Sequence, residues 1–410
     1  MNFVDFGDWP GRIVCGTGAV AKLSEIVGRV GGSRALVICG STVVRTDMLS
    51  KVKAGLGSKL AAVFAEAAPH TPIEMVNRGV ERFRDSGADV LVSIGGGSTI
   101  DAGKAIAIML ATSGDLARYA IRYAPGGEVE RHPLPARTVP HIAVPTTAGS
   151  ASDVMPTASC RDPATRQKLL FWDDDLTPAV TVLDPEMAVH TPAPLTAATG
   201  MTAMARAVEA IYSGRRHGIS TGLALHALRL LRDALPRSVQ APHDIEARAA
   251  CQMAAAMSGI AAINAMVSVV HAVGHIVGGR YALQHGTSHA ILLAPAMRQL
   301  LPAVGSDQSL LLEALGGTSR RHNPDQDGAA AADLISVLVG GLPLPHRLRD
   351  VGIAETEVYN VDASAARLQL QLVDLREDVR GKALNPSKLH RSTIASSPWL
   401  FASPPGTRLE

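Results

Sequence analysis

Aromatic residues are scarce, at 3% of the 410-residue chain. Core packing therefore falls to Ala, Leu, Val and Ile, a mixture that suits helices and buried parallel strands. Cysteine is equally sparse. Cys15, Cys39, Cys160 and Cys251 lie far apart, and no CxxC pair exists. That spacing excludes a tetrathiolate zinc centre or a redox dithiol, and four reduced packing thiols in a cytoplasmic protein are expected. Charge of one sign is lacking too. Lys and Arg total 39 against 37 Asp and Glu, for a net charge of +2. Neither nucleic acid nor an anionic membrane is expected as a partner. The longest apolar stretches, such as Ile260–Val270, are too short to span a bilayer. The opening residues MNFVDFGDWPGRIVCG hold two aspartates and no apolar run, unlike a signal peptide. With 47% apolar and 19% charged residues, the composition is that of a globular chain and not a disordered one.

What is present is an alternation. Ala35–Cys39 ends at Gly40, Asp89–Ile94 at Gly95, His141–Val144 at Pro145, and Ala179–Leu183 at Asp184. Each reads as a buried strand closed by a turn signal. Helix-like segments such as Ile73–Ser86 and Asp101–Ala111 lie between them. This order predicts an α/β N-terminal domain with a doubly wound, mostly parallel sheet. From about Thr196 the segments lengthen and fill with Ala, Leu and Met. Thr196–Ser213, Ser220–Leu235, Ile245–Ile263 and Val267–Gly278 all read as helices, which predicts an all-α C-terminal domain. Pro185, Pro192 and Pro194 mark the boundary. The expected division is 1–187 for a dinucleotide-binding domain, 188–395 for a helical catalytic domain and 396–410 for a mobile tail.

Gly95-Gly96-Gly97-Ser98 follows a strand and opens a helix. Glycines admit close backbone approach, and a helix N-terminus offers free N–H groups to a phosphate. Asp101 falls in the first helical turn, where a carboxylate complements the helix dipole. A second strand ends in Pro145-Thr146-Thr147-Ala148-Gly149-Ser150, where two hydroxyls occupy the usual ligand edge of such a sheet. Further on, His271, His275, His285 and His289 fall within 19 positions, in two pairs of spacing four. Such pairs share a helix face and suit either a metal site or acid–base chemistry.

The order GGGSTIDAGKA, PTTAGSASDVMP, Lys168, LDPEM, LTAATGM and HAVGH…HG resembles the iron-containing (group III) alcohol dehydrogenases. Maleylacetate reductases, glycerol dehydrogenases and dehydroquinate synthases are further relatives. The likeness runs from about Val14 to Pro302, some 70% of the chain, and weakens after Pro345. It implies catalysis in a cleft between a dinucleotide domain and a helical domain. Gly95, Gly96, Gly97 and Ser98 would hold the pyrophosphate, and Thr146, Thr147 and Lys168 would lie along the cofactor. Many members carry an Asp after the first strand for the adenosine ribose. Here the position is Gly40, followed by Ser41 and Thr42. Losing that carboxylate removes repulsion against a 2′-phosphate, so NADPH is expected over NADH, with Arg45 as a further contact.

The departures concern the metal. The family holds it with an Asp and a His in a GMDALTHAIE-like segment and two downstream histidines. Here Thr202 replaces that Asp and Arg206 that His, while His271 and His285 match the other two. Two ligands are too few for a tight divalent site, and a guanidinium opposes a nearby cation. The expectation is therefore no catalytic metal. Arg206 would act as a fixed cation on a substrate carbonyl or carboxylate, and His271, His275 and His285 would supply the proton. Alternatively, Arg206 pairs with Glu209 at helical spacing and plugs a silent site. The expected activity is reduction of a small aldehyde or ketone, an acidic one suiting Arg206. A catalytically silent nucleotide-binding relative and a metal-dependent dehydrogenase with an unusual ligand set stand as alternatives. The Ser113–Pro140 segment, with Arg118, Arg122, Arg131 and Arg137, is longer than in maleylacetate reductases. By analogy with relatives, a second copy of the chain is the expected protein partner.

Overall fold

The computed structural model describes residues 11–354, apart from 113, 115, 124–128, 163–167, 282 and 320–322. The tail expected at 396–410 lies outside these. Two compact units are present. The first contains strands β1 (Ile13–Cys15), β2 (Ala35–Cys39), β3 (Leu60–Phe64), β4 (Val90–Gly95), β5 (Arg122–Tyr123), β6 (Val129–Glu130), β7 (His141–Pro145), β8 (Thr157–Arg161), β9 (Lys168–Trp172) and β10 (Val180–Leu183). Its helices are α1 (Leu23–Arg29), α2 (Ser41–Val44), α3 (Met48–Leu56), α4 (Ile73–Ser86) and α5 (Gly97–Ala111).

Six strands form one sheet in the order β1-β10-β7-β4-β2-β3, with every pair parallel. Alternate residues of β2 serve opposite faces. Leu36 and Ile38 pack with Met75, Val76 and Phe83 of α4, while Ala35, Val37 and Cys39 pack with Leu23 and Ile26 of α1 and Val52 of α3. Both faces are covered, so the central strands are continuous apolar runs. That is why β2, β4, β7 and β10 stand where the sequence predicts strands. The edge strands β1 and β3 carry no such signal, being three residues long and half-buried, respectively. The long segment before β7 contributes β5 and β6, which pair with each other. Strands β8 and β9 form an antiparallel hairpin.

The helical elements that follow are α6 (Ala193–Tyr212), α7 (Gly218–Gln240), α8 (Ile245–Ala265), α9 (Val269–Tyr281), α10 (His285–Ala314) and α11 (Pro324–Gly340). All but the first part of α8 belong to the second unit. Helix α6 is buried almost throughout because small residues line it. A Cβ on Gly286 of α10 would sit 1.8 Å from the Ala198 carbonyl oxygen of α6. Only glycine admits this crossing, which brings the start of α10 onto α6. Among the described residues, no single helix is long and apolar enough to cross a membrane.

The division at 188 needs one correction. Ala241–Ile260, expected in the helical domain, belongs with the α/β unit. The reason is local bonding. Gln252 Nε2 donates to the carbonyls of Pro145 (3.0 Å) and Asp184 (3.2 Å), at the ends of β7 and β10. Arg248 Nη2 donates to the Thr191 carbonyl at 3.1 Å.

Candidate functional site

The features that the sequence reads as nucleotide-binding lie at the carboxyl ends of the strands. Chain direction reverses between β2, whose connection leads outward to β3, and β4, whose connection leads to β7. Such a switch point is where doubly wound sheets take ligands. Gly40 follows β2 there, and Gly95, Gly96 and Gly97 carry β4 into α5. The glycine turn abuts the second turn closely. Thr146 N–H donates to the Gly95 carbonyl at 3.0 Å, and a Cβ on Gly97 would lie 2.6 Å from Ser150 Cβ. Thr147 is buried next to Gly96, and its hydroxyl has no hydrogen-bond partner. An orphaned hydroxyl beside a helix N-terminus fits a bound phosphate-bearing cofactor.

Other predicted residues have definite tasks. Ser98 Oγ accepts from His70 N–H at 3.3 Å, and Thr71 Oγ1 donates to the Ser98 carbonyl at 3.0 Å. His70 and Thr71 both adopt left-handed backbone conformations (φ 64° and 51°), and no sequence signal marks them. The Asp101 carboxylate accepts from the hydroxyl of Ser152 and from Ser159 through both N–H (3.1 Å) and hydroxyl (2.9 Å). It braces the β8–β9 hairpin to α5. Lys168 opens β9 and is exposed there. Lys104, missed at the sequence level, is buried in α5 and donates to the carbonyls of Met155 (2.6 Å) and Thr157 (2.8 Å). Burial lowers its pKa to about 8, against the raising pull of Asp101 and Asp153. Ser41 and Thr42 are exposed at the start of α2, where Arg45 Nη2 donates to Ser41 Oγ at 3.3 Å.

The second cluster lies wholly in the helical unit. His271 and His275 project from α9, and His285 and His289 from the first turns of α10. Ring centroids are 4.2 Å apart for His271 and His289, 4.1 Å for His285 and His289, and 4.6 Å for His275 and His285. Exposure grades along the cluster: His289 and His271 are buried, His285 is half-buried and His275 is exposed. Burial first, then the charges of the other three histidines and Arg206, holds the His289 pKa well below the ordinary imidazole value. His289 was visible as part of the histidine run, but the family pattern gave it no role.

Arg206 and Thr202 are both buried on α6, as the helical spacing requires. The carboxylate that spacing offers to Arg206 serves α9. Glu209, fully buried, accepts from Val270 N–H at 2.7 Å and contacts His271 Nδ1. Glu209 thereby holds the His271 ring at Nδ1, and Nε2 is buried on the other side of the ring.

The chain belongs to the iron-containing alcohol dehydrogenase family. The iron-containing alcohol dehydrogenase model matches residues 10–185, and the model of the family's C-terminal region matches residues 196–381. An NAD-dependent methanol dehydrogenase of Bacillus methanolicus is 35% identical over 69% of this chain and 72% of its own. A maleylacetate reductase of a Rhizobium species is 32% identical over 81% and 86%, respectively. A crystal structure of 1,3-propanediol oxidoreductase superposes with a TM-score of 0.85 at 27% identity, covering 96% of this chain and 99% of the other. The chain is accordingly an NAD(P)-dependent enzyme of the alcohol dehydrogenase and carbonyl reductase class.

The family name implies iron, and the donor set can be tested against it. His271, His285 and His289 bring one nitrogen each to within 4.8 Å of one another. Among the described residues no carboxylate joins them, and Thr202, buried on α6, donates to the Ala198 carbonyl at 3.4 Å. The permanent charge of Arg206 reaches His289. Three neutral nitrogens beside a guanidinium do not fit the anionic ligand set that balances a ferrous ion in this family.

Proposed function

We propose that this chain reduces a small aldehyde or ketone with NADPH or NADH and without a catalytic metal, Arg206 supplying the fixed positive charge. The observation that carries this reading is a buried guanidinium, in the segment where the family pattern places a metal ligand, whose charge reaches the buried His289 of the histidine cluster. A dihydronicotinamide cofactor held by the Gly95–Ser98 turn and Thr147 would supply the hydride that the carbonyl carbon accepts. The carbonyl π pair moves to oxygen, which takes a proton from an imidazole of the cluster. Arg206 stabilises the oxyanion as it develops, or holds a carboxylate of an acidic substrate. The exposed His275 is placed to return the lost proton from solvent. The absence of a carboxylate at Gly40, with Arg45 and Ser41 joined beside it, supports a preference for NADPH. The four free cysteines suit a reducing cytoplasm.

The test is turnover of the purified protein against aldehydes and keto acids, with each cofactor, with and without a strong chelator. Arg206→Ala is measured alongside. The expected result is chelator-resistant reduction that drops about 10²–10³-fold in the variant, the size seen when an oxyanion donor is lost. Cofactor affinity should change less than about threefold, because the affected site lies outside the nucleotide turns. Unchanged turnover in the variant removes Arg206 from the chemistry. Chelator-sensitive turnover with stoichiometric metal establishes a metal-dependent dehydrogenase, and cofactor binding with no turnover establishes a silent relative.

A further inference from the structure

We propose that the left-handed pair His70-Thr71 is a positioning device for the cofactor: Thr71, with the His70 N–H, aims the Ser98 hydroxyl and the opening turn of α5 at the dinucleotide pyrophosphate. The inference rests on the reading that a dinucleotide binds at the Gly95–Ser98 turn. Thr71 adopts a backbone that its own chemistry opposes. It is β-branched, it precedes Pro72, and its φ is 51°. A β-branched residue at positive φ is an outlier, and a following proline pushes its predecessor towards extended backbone. His70 beside it is left-handed as well, with φ 64°. Such strain persists only where the surroundings over-determine it, and it gathers at functional sites.

The surroundings are specific. Thr71 is 1% exposed. Its Oγ1 donates to the Ser98 carbonyl at 3.0 Å, and its own carbonyl accepts from Arg161 N–H of β8 at 3.0 Å. His70 N–H donates to Ser98 Oγ at 3.3 Å. The start of the segment is fixed too. Ala67 N–H donates to the Cys39 carbonyl at the end of β2 at 3.1 Å, and a Cβ on Gly40 would meet the Ala67 carbonyl oxygen at 3.0 Å. Residues Ala67–Pro72 therefore run from the position read for the adenosine ribose to the position read for the pyrophosphate. The direction of the bonds supplies the chemistry. A hydroxyl has one proton to give and two lone pairs. An N–H on a Ser98 lone pair leaves the Ser98 proton for a phosphate oxygen, at a helix N-terminus that already favours an anion. The unpartnered Thr147 hydroxyl beside Gly96 independently marks this spot as a ligand position. The free protein thus holds an unfavourable backbone so that the phosphate donors need no reordering on binding.

The experiment titrates the full-length protein with NADPH and NADH and follows nicotinamide fluorescence. Thr71→Val keeps the branched shape, removes the hydroxyl and should weaken binding about tenfold, the worth of one orienting hydrogen bond. Thr71→Ser keeps the hydroxyl and should restore most of that loss. Added to Ser98→Ala, Thr71→Val should weaken binding less than about twofold further, because it acts through that serine. A threonine that served the fold alone would lower stability without coupling to Ser98. Unchanged affinity in Thr71→Val, or full additivity with Ser98→Ala, therefore overturns the positioning role while the cofactor site stands. Should the valine variant not fold, Thr71→Ala carries the same comparison. His70→Gly should raise the denaturant midpoint, since glycine takes a left-handed φ freely. A lower midpoint overturns the claim that the turn is held against its own preference. If the unmodified protein binds neither NADPH nor NADH, the underlying reading of the nucleotide site falls, and the proposal falls with it.

Discussion

His141 shows what a single residue's surroundings dictate. It lies within the central strand β7, 5% exposed, with Nε2 hydrogen-bonded to Ser93 Oγ at 2.9 Å. Burial, and then the Lys104 charge, lowers its pKa from 6.5 to about 3. The folded state thus keeps this imidazole neutral where the unfolded chain would protonate it. Above pH 6.5 the ring is neutral in both states and contributes no pH dependence. Between 6.5 and about 3 the unfolded state binds the extra proton, so stability falls as pH falls. The slope is about 1.4 kcal/mol per pH unit. His141→Gln keeps a hydrogen-bonding group near Ser93 and removes the titration. Unfolding free energy, measured by denaturant between about pH 6 and pH 4, should then show a slope smaller by roughly that amount. Identical slopes would mean that His141 is protonated in the folded protein. None of this is legible in the sequence, where His141 is only the polar first letter of an apolar run. Tertiary burial decides it.

At the scale of elements, much was legible because local chemistry and fold agree. The turn signals after Ile94 and Val144 mark the two turns that abut at the carboxyl ends of β4 and β7. The run Ile73–Ser86 is helical at both expected ends. What the sequence does not carry is the distance between elements. Gly96 and Gly97 look alike as letters, yet their surroundings differ. A Cβ on Gly97 would stand 2.6 Å from Ser150 Cβ, whereas one on Gly96 would meet Thr147 at an ordinary 3.5 Å. Gly97→Ala should therefore push α5 away from the Thr146–Ser150 turn and destabilise the fold by about 1–3 kcal/mol, the usual range for overpacking. It should also weaken cofactor binding roughly tenfold, since both turns shift. Gly96→Ala should cost under about 1 kcal/mol of stability. Chemical denaturation and cofactor titration of the two variants decide the matter. Equal stability losses would show that packing against Ser150 is not what fixes Gly97. The α6–α9 arrangement was illegible for a related reason. Helical spacing offers Glu209 to Arg206 as a neighbour, but only the packed structure shows that His271 and Val270 claim it.

At the scale of the whole chain, sequence reading treats a domain as a continuous stretch, and this chain does not comply. It leaves the α/β unit after Thr191, returns for Ala241–Ile260 and leaves again. Ala-rich helices look alike from the sequence, so nothing in the composition of α8 separates it from its neighbours. The available signal was weaker: Arg248 and Gln252, four apart in an Ala- and Met-rich run, are polar groups on a face that becomes buried. Gln252 ties the ends of β7 and β10 together through their carbonyls. Arg248 holds the Thr191 carbonyl, and the Thr191 hydroxyl in turn donates to Thr146 at 2.7 Å, inside the nucleotide turn. Stability should follow these bonds and not the order of helices. In hydrogen exchange, the amides of α8 up to Ile260 should share the protection of β7 and β10, and those beyond it should share that of α9 and α10. Arg248→Ala removes a charged donor from a carbonyl, a loss of about 1.5–3 kcal/mol. It should lower protection in the first part of α8 and around Thr146 together, while α10 and α11 keep theirs. Uniform exchange along the full length of α8, or a loss confined to the substituted helix, would show that this returning segment is a passenger on the α/β unit and not a part of it.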